Sequence, residues 1–319
     1  MFTYRQILHK AWQITWQHPA LWFFGFFLAF LGVGGEIEIL LGSISLGDRQ
    51  ALIPSLLRGF VEGGLFSWNG LLGMAQALVQ RPFSFLSLLL WLVTILLLTA
   101  IVVWLVVISQ GAVIRGVVTA VKGKRESWAK HFEAGLQTFW PVLALNVLAR
   151  AFFFTIFLLL SSLAFWQFSG GTLLFLVTFI VLVAAIVVAA FITKYAICAV
   201  VLRGQPVRAA IGAAVALFRR HWLLSLEVAT VLFAVYWLVT ILLVNLLVSF
   251  FLSTLRVFGP QASIALVAFI VILIITTVSQ LLLAVFHWAA WVLVFEVLTS
   301  KKELLVSRLA GWFEKMAGR

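Results

Sequence analysis

The sequence predicts an all-α polytopic membrane protein with about six transmembrane helices in a single membrane domain over residues 1–319. Three observations predict it. Of the residues, 64% are apolar and only 10% charged, against about half and a quarter in a soluble domain. Six segments each hold the ~20 apolar residues that, at about 1.5 Å of rise per residue, cover a hydrocarbon core of about 30 Å. Lys and Arg collect in the connectors on one side of those segments. Mean hydropathy is +1.18. No soluble core hides that much apolar surface, and the short connectors leave no room for a soluble catalytic domain.

The elements follow in order. Residues 4–17 alternate at helical spacing. Tyr4, Ile7, Leu8, Ala11, Trp12 and Thr15 share one face, and Arg5, Gln6, His9, Lys10 and Gln13 the other, as a helix lying in the membrane interface requires. That alternation is not the short apolar core of a cleavable signal, so the first span is expected to stay in the mature protein. The spans are read at 20–41, 85–110, 141–166, 172–201, 222–253 and 263–298. The first is loosened by Gly32, Gly34 and Gly35, with Glu36 and Glu38 after them. An insertion at 42–84 separates it from the second. Helical spacing at Leu56, Leu57, Phe60 and Val61, broken by glycines, suggests short helices on the outer membrane surface. Before the third span, Trp128, Phe132, Leu136 and Phe139 form an apolar stripe opposite Lys130, Glu133 and Gln137. A third amphipathic helix spans 207–218. A fourth follows the last span at 301–319, where Leu305, Leu309, Trp312 and Met316 recur at spacings of a helical turn.

These elements read as a repeat. Lys122-Gly123 aligns with Arg203-Gly204 at an offset of 81 residues, and the same frame carries Leu136 onto Leu217 and Pro141 onto Trp222. Trp16-Gln17-His18-Pro19 falls, shifted by one, on Arg219-Arg220-His221-Trp222. The unit is an amphipathic interfacial helix followed by a transmembrane hairpin, used three times over about 1–118, 119–202 and 203–300; the terminal helix 301–319 comes after them.

Orientation follows from the basic residues. The N-terminal segment, the connectors at 115–130 and 203–220 and the C-terminal segment together hold sixteen Lys and Arg; Arg49, Arg58, Arg81 and Arg256 fall on the other side. The positive-inside rule then places both termini in the cytoplasm. It also accounts for the net charge of +12 without nucleic acid, because basic side chains beside spans attract anionic headgroups. Lys10, Lys122, Lys124, Arg125, Arg219, Arg220, Lys301 and Lys302 are the expected anionic-lipid contacts on the cytoplasmic face.

Few residues of the chain could carry chemistry. Cys198 is the single cysteine, so neither an internal disulfide nor a thiolate metal site is possible. Asp48 is the only aspartate. There is no His-Glu-x-x-His, no phosphate-binding glycine loop and no recognisable nucleophile context. No catalytic residues and no metal site are therefore expected. Ionisable groups at membrane depth are functional candidates by default. Arg150, Lys194, Glu227 and Glu296 approach the cytoplasmic half from four different spans. Two readings stand: a polar pathway, or an ion network that fixes helix packing. His287 is a possible haem or chlorophyll ligand, or a hydrogen-bonded packing residue. It lies nine residues before Glu296, on the opposite helix face. Gln110, Asn146, Asn245 and Gln280 are expected to hydrogen-bond between helices. Gly111 and Gly116 lack the spacing of the close-packing motif.

The opening Tyr4-Arg5-Gln6-Ile7-Leu8-His9-Lys10-Ala11-Trp12, running to Trp16-Gln17-His18-Pro19-Ala20-Leu21-Trp22-Phe23-Phe24-Gly25, resembles the start of bacterial six-span membrane proteins. These are similar to the membrane domain fused to some glycerophosphoryl diester phosphodiesterases. The stretch from Tyr195 through Arg203-Gly204 to Ala213 and on to Trp222 resembles the fourth-span exit and following helix of the same group, with Arg203 where many members carry an acidic residue. The resemblance implies a bacterial cytoplasmic membrane protein. It implies no phosphodiesterase activity, because that domain is absent. The leading expectation is a non-enzymatic integral membrane protein that associates with lipid or serves as an accessory subunit of a larger membrane complex. The alternatives are a small-solute or ion-coupled transporter using the polar cluster, motivated by the repeats, and a haem- or chlorophyll-carrying subunit.

Overall fold

The computed structural model describes residues 4–30, 76, 78–80, 82–124, 126–165, 172–256 and 260–299. These form helices α1 (Tyr4–Gln17), α2 (Ala20–Ala29), α3 (Pro82–Val121), α4 (Trp128–Gln137), α5 (Phe139–Phe165), α6 (Thr172–Arg203), α7 (Val207–Arg256) and α8 (Pro260–Thr299), with no strand among them. Five of these helices, α3 and α5 to α8, are long and apolar enough to cross a membrane. The protein is thus a helical, multi-pass membrane protein. The expected first span is described only as far as Phe30, as the apolar α2. Nearly all of the insertion at 42–84 and the terminal helix 301–319 lie outside the described residues, as do Arg125, Lys301 and Lys302.

Two elements run longer than their apolar stretches predict. The second span was expected over 85–110, but α3 has 40 residues, about 60 Å of helix. Gln110, Gly111 and Arg115 interrupt the apolar run without interrupting the helix, because neighbouring helices cover all of them except Arg115. Likewise the third amphipathic helix and the fifth span form one helix, α7, kinked at His221 (φ −133°, ψ 33°).

The chain divides into two compact units, Met1–Gly35 with Leu105–Arg150 and Val187–Arg319, and Glu36–Trp104 with Ala151–Ile186. In the first, the core is made of three helix segments buried on nearly every face: 106–119 of α3 apart from Arg115, 195–201 of α6, and 283–295 of α8 apart from His287. A helix apolar all round belongs in such a place. In the second, residues 82–104 of α3 present leucine, isoleucine, valine and phenylalanine outward in every direction, a surface suited to lipid chains as apolar as leucine itself.

Helix α1 turns its apolar face to protein. Ile7, Ala11, Ile14 and Thr15 are buried, α1 and α2 both pack on α8, and Trp12 stays half exposed with its edge on Phe286, 5.8 Å between ring centroids. Periodicity marks which face is apolar, but not whether lipid or another helix covers it. Pro19 ends α1 because its ring nitrogen carries no hydrogen. The carbonyl of Thr15 is left without its usual donor, and the indole Nε1–H of Trp22 donates to it at 2.7 Å.

Candidate functional site

The polar groups of the first unit gather in three places. The first lies between α6 and α8. Lys194 holds its ammonium 5.4 Å from the centre of the Trp291 ring, and Trp291, which is 1% exposed, donates its indole N–H to Nε2 of His287 at 3.1 Å. A cation over the ring face and an acceptor on its N–H polarise the indole in the same sense, so each contact strengthens the other. One turn along α6, Cys198 is buried within electrostatic range of Glu296. Beside it the hydroxyls of Tyr195 and Ser225 share a hydrogen bond of 2.7 Å, and Ser225 donates to the carbonyl of His221 at 3.0 Å. That relay fastens the α7 kink to α6.

The second place joins α3 and α5. Asn146 donates to Oε1 of Gln110 at 2.7 Å and to the carbonyl of Val142 at 2.9 Å. Gln110 is 1% exposed, so the pair satisfies polar atoms that lipid and packed side chains would leave bare.

The third is the seat of α4 on α3. The apolar stripe Trp128–Phe132–Leu136 reads in the sequence as the membrane-facing side of an interfacial helix. Trp128 and Leu136 are exposed, and the residues buried on α3 are His131 and Gly135. A Cβ on Gly135 would run into the carbonyl of Ile108, and one on Gly111 would lie 2.8 Å from Oγ1 of Thr138 and 3.0 Å from Cα of Gly135. A Cβ on Gly116 would lie 3.7 Å from Nδ1 of His131. His131, Gly135 and Thr138 thus dock antiparallel along Gly116, Gly111 and Ile108. Helices in membranes approach through small residues, and the stripe packs to one side of that contact, Trp128 stacking on Phe24 of α2 at 5.8 Å between ring centroids. Gly111 and Gly116, set aside because their spacing of five matches no motif, serve here at two heights of one contact.

Helices α3 and α6 end alike. Gly123 and Gly204 adopt φ of +67° and +62°, the left-handed conformation that glycine reaches without a Cβ clash. Lys124 N–H donates to the carbonyl of Thr119 and Gly123 N–H to that of Ala120, the paired bonds of a Schellman cap; Gly204 N–H donates to Val200, the single-bond form. Lys122, Lys124 and Arg203 are exposed at these C-termini, where the helix dipole favours cations. Arg203 lies 5.2 Å from the ring centre of Phe295.

Of the residues singled out from sequence, Lys194, His287 and Glu296 meet the α6–α8 contact. Glu227 is half-buried on α7, and Arg150 is exposed on α5. With Nε2 of His287 accepting from Trp291, the proton of the neutral ring sits on Nδ1. Lys122, Lys124, Arg219 and Arg220 are exposed and Lys10 half-exposed. Gln280 reaches Thr240 across α7 and α8 at 3.3 Å. Asn245 instead bonds the Ile241 carbonyl one turn back in its own helix, at 2.8 Å, an acceptor always within its reach. Trp291, Tyr195, Ser225 and His131 were not singled out by sequence. In a chain this rich in aromatics, only their three-dimensional partners distinguish them. Among the described residues no three His, Cys, Asp or Glu side chains gather as a metal site. No family model, curated protein or solved structure matches the chain.

Proposed function

We propose that this is a non-enzymatic integral membrane protein that holds anionic lipid at its cytoplasmic end, alone or as an accessory subunit of a larger complex. The observation that carries the reading is that the segments flanking the spans of the first unit expose both cations, Lys122, Lys124, Arg219 and Arg220, and indoles, Trp12, Trp16, Trp128, Trp140 and Trp222. Cations attract anionic headgroups at ~1 kcal/mol each near the surface, and indoles favour the headgroup layer. The reading includes both termini in the cytoplasm, a bacterial inner membrane and the threefold use of one helix-plus-hairpin unit, consistent with the resemblance to the membrane domain of the glycerophosphoryl diester phosphodiesterases.

The test is native mass spectrometry of the protein released from nanodiscs of equal phosphatidylglycerol and phosphatidylcholine. Retained lipid should be enriched in phosphatidylglycerol, and glutamine at Lys122, Lys124, Arg219 and Arg220 together should bring it back towards the bulk ratio. Retained lipid that mirrors the bulk in the wild type sinks the reading; a reproducible co-purifying subunit supports the accessory form.

Half-buried Lys194 against buried Trp291 favours a second reading, a transporter with a polar site that also includes Arg150, Glu227 and Glu296. Charge exchange at Arg150 and Glu227 separates the two. A packing role predicts lost stability in Arg150→Ala and partial recovery in the exchanged double variant. A transport role predicts normal stability and lost solute flux. For His287 as a pigment ligand, a visible spectrum of the purified protein decides.

A further inference from the structure

We propose that α4 is a pH-sensitive latch, seated on α3 when His131 is neutral and released when it is protonated. The seat is small and buried. His131 is 6% exposed, its Nδ1 is buried without a hydrogen-bond partner, and its ring faces Gly116 of α3. A neutral imidazole can place a lone pair there. An imidazolium would have to bury a charged N–H donor against carbon, with no acceptor to receive it. The contact cannot widen gradually to admit water, because the same face of α4 meets α3 through Gly135 on the Ile108 carbonyl and Thr138 on Gly111. Accommodation therefore means lifting the helix.

The charged and titratable groups within range come from each element around the ring. Arg115 from α3 and His18 from the junction of α1 and α2 oppose a second positive charge, and Glu126 from the turn before α4 favours it. Burial is the largest influence and holds the His131 pKa below its ordinary value of 6.5, with Glu126 acting against it and Arg115 and His18 adding to it. The sign follows. The released helix takes up a proton at about pH 6.5, whereas the seated one resists until lower pH, so seating is strongest above about 6.5 and weakens as pH falls through that window. Glu126, in the turn at the edge of the seat, is the acceptor a charged His131 would find on leaving it. This regulation is independent of which lipid or partner the basic end binds.

The test is hydrogen–deuterium exchange of the full-length protein in nanodiscs from pH 7.5 to 5.0, corrected for intrinsic rates and read on peptides covering α4. Protection of α4 should fall by up to about tenfold per pH unit below about 6.5, while α8 stays protected. In His131→Gln, α4 protection should be flat over the same range. A flat wild-type profile overturns the proposal, and so does an acid response that persists in His131→Gln, which would assign it to another histidine. Should His131→Gln lack α4 protection already at pH 7.5, His131→Phe, which keeps a ring against Gly116, carries the same comparison.

Discussion

Glycine does opposite things at different positions of this chain, and its surroundings decide the sign of a substitution. At Gly135 the added methyl of alanine meets the Ile108 carbonyl, a backbone atom that cannot rotate away. Overpacking of that kind costs about 1–3 kcal/mol, and Gly135→Ala should lower the midpoint of denaturation in detergent accordingly. Gly212, inside the first part of α7, has nothing within 4 Å of the added atom. Gly212→Ala should raise stability by about 0.5–1 kcal/mol, the helix penalty glycine carries relative to alanine. The Tyr195–Ser225 pair gives a second asymmetry. Tyr195→Phe removes one hydrogen bond and leaves Ser225 its carbonyl partner on His221, a loss of about 0.5–1.5 kcal/mol. Ser225→Ala leaves a buried phenol hydroxyl without a partner, costing about 1–3 kcal/mol. Unfolding of both single variants and the double, with the double less destabilised than Ser225→Ala because no hydroxyl is then left without a partner, checks that order.

Helices α1 and α4 look alike in sequence, each a short amphipathic segment before an apolar one, yet they attach by different physics. Helix α1 buries aliphatic side chains against α8; α4 buries a histidine and a glycine against backbone. The apolar spacing of Ile7, Ala11 and Thr15 was legible, since helix periodicity and burial agree there. The seat of α4 was not, because small and polar residues carry no hydrophobic signal and the louder Trp128–Phe132–Leu136 stripe is not the face that meets α3. The long helices were legible from their apolar runs, but their ends were not, since Arg115 and His221 are tolerated inside α3 and α7. For α1, the carbonyl orphaned by Pro19 gives a test. Trp22→Phe keeps the ring but removes the donor to Thr15, and exchange protection at the C-terminal turn of α1 should fall by about five- to tenfold, as ~1 kcal/mol implies. Protection of α1 in the wild type should not change when anionic lipid is replaced by zwitterionic lipid, because its apolar face rests on protein.

At the scale of the molecule, the core of the first unit is assembled from α3, α6 and α8, each the later-made helix of its pair in the threefold reading. The positions at risk in a membrane, Gln110, Lys194 and His287, lie on these three helices and find partners: Asn146 of α5 for Gln110, and the face and indole N–H of Trp291 of α8 for Lys194 and His287. Composition could name the polar residues, but not the partners, since pairing across helices depends on rotation about each axis, and an apolar run does not report its own rotation. The packing of α1 against α8 also has a consequence for biosynthesis. Trp12 leaves the ribosome 274 residues before Phe286, the side chain it rests on, an interval of roughly 14 to 55 s at about 5–20 residues per second. Until α8 is inserted, Ile7, Ala11 and Ile14 have only the bilayer surface to shelter them, so the amphipathic pattern of α1 serves the nascent chain first and the finished protein second. A chain truncated before α8 would carry that unsheltered face permanently.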